Sequence, residues 1–120
     1  MPQELPAWRS RSERFDDQVL DALERLERRW ARELGEVEFA VEDVPPGDPA
    51  PWENNEVPLG RLFPATGTLP PRIVLYRRPI ESRTEDAREA AVLVHTVVVE
   101  QVAHLLALTP EQIDPQYRGD

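Results

Sequence analysis

Residues 86–108, DAREAAVLVHTVVVEQVAHLLAL, decide how this chain folds. They form its longest apolar stretch and contain both histidines, His95 and His104, with Glu100 between them. Val97, Val98 and Val99 alone would favour a strand, because β-branched side chains suit a pleated sheet. A half-buried strand, however, needs polar residues at every second position. Here Thr96, Glu100 and His104 are spaced by four. On a helix each such step advances about 40°, so the three share a stripe roughly 80° wide. The segment is therefore a helix buried on most sides with one narrow polar face. Ser82 or Thr84 can cap its start, Glu85 and Asp86 complement its positive end, and Pro110 stops it. A membrane span is the competing reading of so long an apolar run. It is set aside because Glu100 lies near the middle and no basic residue anchors the last turn.

The rest of the composition narrows the options. A length of 120 residues fits one domain. There are no cysteines, which excludes disulfides and thiolate metal sites and suits a reducing cytoplasm. The segment after Met1 has neither a basic nor an apolar signal region. A net charge of −9 opposes generic binding of nucleic acid. All 14 basic residues are arginine, a bias that GC-rich coding explains without any special arginine chemistry.

Outward from the long helix, the chain reads as helix, strand, loop, strand, strand, helix. Residues 1–10 read as an extended arm whose Trp8 can pack onto the domain. Residues 11–34 carry Phe15, Val19, Ala22, Leu23, Leu26 and Trp30 at helical spacing. Ser10 and Glu13 fit a capping box, and Gly35 fits the left-handed position after the last turn. Residues 36–43 alternate as a strand with one wet face. Residues 45–57 are a Pro- and Asn-rich loop, in which Trp52 pins the loop to the core rather than forming a binding hot spot. Residues 58–65 and 72–77 form two strands joined at Thr66, Gly67 and Thr68. Pro79 closes this hairpin, and residues 80–83 lead to the long helix. One helical turn at residues 110–113 precedes a fraying tail. The expected fold is α+β, with a small sheet and its helices on one face. The domain covers residues 11–115, with a tail at 116–120.

The αβββα order, the segment PLGRLFPATGTLPPRIVLYRRPIE (58–81) and the register of HTVVVEQVAHLLAL (95–108) resemble a family of minimal zincin-like metallopeptidases. The resemblance covers roughly residues 15–115. It implies a zincin-like minimal domain whose C-terminal helix would carry HExxHxxGxxD. The two histidines and the aspartate would bind zinc, and the glutamate would activate water. Aligned on Glu100, this chain has Val99 and Ala103 at the histidine positions, Leu106 at the glycine and Thr109 at the third ligand. Of the motif only Glu100 remains, at a vestigial general-base position.

Three functional readings are open. In the first, the chain is a zincin-like protein that has lost its zinc ligands. It would be a non-catalytic, cytoplasmic binding or scaffold domain for a protein or peptide, with no cofactor, nucleic acid or membrane. In the second, it is a metal-dependent peptidase or hydrolase with a displaced site. Glu100 and His104, at i and i+4, would hold zinc with a third ligand from Asp43, Asp48 or Glu53. Without metal, Glu100 and His104 are expected to pair with each other. His95 lies about 140° away around the helix and is expected to be a satisfied, partly buried histidine. A plain structural subunit held through the first helix is a third possibility.

Overall fold

The computed structural model describes residues 11–46 and 57–117. Ser10, Trp8, Trp52, Asp48 and Glu53 lie outside those residues. The described chain runs α1 (Arg11–Leu34), β1 (Glu38–Glu42), β2 (Gly60–Phe63), β3 (Arg72–Tyr76), α2 (Arg77–Ser82), α3 (Ala87–Leu106) and α4 (Pro110–Ile113). This is the α+β layout expected.

The strands lie in the order β1–β3–β2. β3 runs parallel to β1, with Phe39 opposite Ile73, and antiparallel to β2, with Leu62 opposite Ile73. The β2–β3 hairpin turns at Gly67, whose φ of 58° suits a residue without Cβ. Paired backbone bonds between Thr66 and Leu69 of 2.8 and 3.2 Å close the turn. Alternation along β3 sends Ile73 and Leu75 into the core beneath the helices. Val74 and Tyr76 occupy the other face of the sheet and are buried as well. Burial raises the Tyr76 phenol above its ordinary pKa, and Glu42 adds to this against the opposing charges of Arg61 and Arg72.

The apolar stripe of α1 packs as its spacing predicts: Phe15, Val19, Ala22 and Leu26 are buried, with Leu23 and Trp30 against the same core. α1 and α3 lie side by side and run the same way. Gln18 Nε2 donates to Ala87 O near their starts at 2.9 Å. Toward the end of α1, Trp30 Nε1 donates to Ile113 O of α4 at 3.0 Å. α1 is kinked at Trp30, where φ is −120° and ψ 24°. Gly35 does not take the expected left-handed conformation. The chain leaves α1 through a bond from Val37 N to Leu34 O instead.

A second difference is α2, where the sequence suggested only a lead-in. Pro79 is its third residue, a position where a missing N–H removes no helical bond. Arg77 ties the element down, reaching Asp43 Oδ1 at 3.1 Å and Glu81 Oε1 at 3.0 Å. α3 is capped by Asp86, whose side chain accepts from Glu89 N at 2.9 Å, rather than by Ser82 or Thr84. α3 also satisfies the length and apolarity of a membrane span. Yet Val94, Val97, Val98, Val99 and Val102 are buried in the core with residues of α1 and the sheet.

α3 crosses β2 so closely that the position of Gly60 tolerates no side chain. A Cβ there would stand 2.9 Å from Val97 Cγ1 and 3.1 Å from Val74 O. Gly60→Ala should therefore lower stability by about 1–3 kcal/mol through overpacking. Urea unfolding checks this, and a midpoint equal to the parent's would mean that α3 can shift off the strand at no cost.

Candidate functional site

The side chains singled out in the sequence lie on α3, which presents two different i, i+4 pairs. Val99 and Ala103 face inward and are 0% and 3% exposed. Glu100 and His104, one residue further on, are both exposed. The polar stripe thus sits as its periodicity predicts, with Thr96 half-buried at its upper end. Gln101 is half-buried beside the edge strand, its Cγ 3.6 Å from the point where a Gly60 Cβ would stand.

The end of α3 is formed by a residue that composition does not flag. Ala107 is the sole non-glycine residue with positive φ among those described, at φ 59° and ψ 41°. A left-handed residue ends a helix by letting the following N–H groups reach back to carbonyls of the last turn. Here Leu108 N donates to Ala103 O at 3.0 Å and Ala107 N to His104 O at 3.3 Å. Pro110 does not stop α3. It opens α4, behind a capping box in which Thr109 Oγ1 accepts from Gln112 N at 3.2 Å and Gln112 Oε1 from Thr109 N at 2.9 Å.

Residues 114–117, the described part of the segment after α4, are held by α3. They fold back along it as a strap. Ile113 is fully buried, and its carbonyl receives the Trp30 indole N–H. Asp114 Oδ2 lies 2.6 Å from His95 Nε2. The Tyr117 hydroxyl donates to a Glu100 carboxylate oxygen. Glu100 is thus engaged by Tyr117, not by His104. His95 is only half satisfied, because its Nδ1 is buried and has no hydrogen-bond partner. Asp114 and Tyr117 carried no sequence signal, because their partners lie 19 and 17 residues away on another element.

Burial raises the Asp114 carboxyl, but the His95 hydrogen bond, the Gln116 N–H and the charges of His95 and Arg25 outweigh it and hold the pKa below its ordinary value. A depressed carboxyl contributes stability above its unfolded pKa, near 4, and loses it as pH falls through the folded value. Asp114→Asn should remove that share. The melting temperature would fall at neutral pH and depend less on pH below about 4 than in the parent. Thermal melts between about pH 2 and 6 test it, and parallel curves for the two proteins would refute it.

A zinc ion needs three protein donors and an open position for water or substrate. In the register aligned on Glu100 the residues do not fit. Val99 and Ala103 are aliphatic and buried, and the Thr109 hydroxyl already caps α4. Nor does the displaced set assemble. Asp43 is held by Arg77, and among the described residues no three His, Asp or Glu side chains form a group able to hold a metal ion. Glu100 and His104 share a face, but among the described residues nothing joins them as a third ligand.

Comparison with curated proteins finds no match. A family model described as zincin-like metallopeptidase matches residues 34–119. That span includes the whole sheet, α2, α3, α4 and the strap. A match over well more than half of the chain, together with the observed fold, shows that the protein belongs to the zincin-like metallopeptidase family.

Proposed function

We propose that this member of the family works by binding a protein or peptide, not by zinc-dependent hydrolysis. The observation that carries the reading is the state of α3: its inward pair, Val99 and Ala103, is core, and its outward pair, Glu100 and His104, supplies two donors. Two donors are fewer than any closed or catalytic zinc site requires. Among the described residues β1 and β2 are the edge strands, and an edge can take an extended peptide through main-chain hydrogen bonds.

The direct test is elemental mass spectrometry on untagged protein purified without chelator. The proposal expects a folded protein with zinc far below one equivalent. Near-stoichiometric zinc that is lost in Glu100→Gln and His104→Ala would reject it in favour of a metal-dependent hydrolase.

A further inference from the structure

We infer that the metal-motif register of α3 runs through Glu100, Gln101 and His104, one residue later than the alignment on Glu100. The chain has then kept one motif histidine, His104. It carries Glu100 where the other histidine would stand and Gln101 where the general base would stand. The inference rests on family membership and deepens the proposal above, since it says which group each lost function was exchanged for.

Three features of the structure carry it. The first is accessibility. Metal-binding side chains must reach an ion that also takes water, and of the two i, i+4 pairs only Glu100 and His104 are exposed. Val99 and Ala103 point into the packed core, at 0% and 3% exposure. The second is the way the helix ends. The motif places glycine seven residues after its first ligand, and glycine's special property is a positive φ. The left-handed residue that ends α3 is Ala107, seven after Glu100 and three after His104. Leu106, the glycine position in the other register, is still inside the helix. The third is Gln101, which sits between α3 and the edge strand at Gly60. Glutamine has nearly the shape of glutamate, but its amide cannot take up a proton from water. In the same register the third ligand position falls on Pro110, the first residue of α4, which has no donor.

The experiment rebuilds the centre in the full chain. Glu100→His, Gln101→Glu and Pro110→Asp are combined, and zinc affinity is measured by titration calorimetry beside thermal melts with and without zinc. Cobalt(II) is added separately to read coordination from its visible absorption. The expected result is one equivalent of zinc bound at least ~100-fold more tightly than by the parent, with a zinc-dependent rise in melting temperature. A folded triple variant that binds zinc no better than the parent would overturn the inference. Should the triple variant not fold, Glu100→His alone tests the same register. It should tighten zinc at least ~10-fold by pairing imidazoles on the open face, and no tightening would overturn the inference. Val99→His with Ala103→His is the opposing variant: if it folds and binds zinc more tightly than the parent, the earlier register is correct. Failure of the non-catalytic proposal is separately visible, as zinc bound to the parent before any substitution is made.

Discussion

Val99→His combined with Ala103→His is expected to leave little folded protein, whether or not zinc is present. Both positions face the core formed by α1, the sheet and α3. A histidine at either must fit a larger side chain into packed space, at roughly 1–3 kcal/mol. It must also bury ring nitrogens without partners, at a further 1–3 kcal/mol. Two such sites cost about 4–12 kcal/mol, against a total stability of order 5–15 kcal/mol for a domain of this kind. Circular dichroism and urea unfolding with and without zinc check the outcome. Recovery of a cooperative fold on adding zinc would mean that an ion can be reached from the core side of α3, contrary to the packing described.

The second large effect is at the strap. Ile113→Ala should cost about 2–5 kcal/mol, because the side chain is fully buried in the core it shares with α1 and α3. The loss corresponds to a drop in melting temperature on the order of 10 °C. The change has a signature that a general loss of packing would lack. With the anchor gone, Tyr117 and Asp114 should release Glu100 and His95, so amide exchange should rise in residues 109–117 before it rises in β3. Uniform exchange across the chain would show that the strap has no independent opening.

Much of this architecture was legible in the residues. Spacing by four placed Thr96, Glu100 and His104 on one face of a buried helix, and the α1 stripe named its own core residues. Alternation in residues 36–43 and the turn at Gly67 located two further elements. What stayed hidden has identifiable causes. α2 was missed because Pro79 reads as a breaker, although near a helix start its missing N–H is harmless. The left-handed end of α3 was missed because Ala107 is not glycine, so the motif register could not be pinned without backbone angles. Gly35 made the converse error, a glycine with an ordinary φ. The strap was missed because Asp114 and Tyr117 are polar residues in a polar tail, and their partners are set by the return of the chain along α3. For the site, the sequence identified Glu100 and His104 as neighbours but could not show that Tyr117 takes the carboxylate.

The order β1–β3–β2 bears on how the protein is made. The central strand is the last of the three to be synthesised, and the two that precede it touch each other nowhere in the sheet. Until residues 72–76 leave the ribosome, β1 and β2 have no template. The α1 stripe is also without much of its cover, since α3 comes later still. Folding of this domain is thus deferred until β3 and α3 have both been synthesised. Until then the nascent segment carries its apolar stripe and two unpaired strand segments uncovered, the interval in which such segments are most exposed to misassociation.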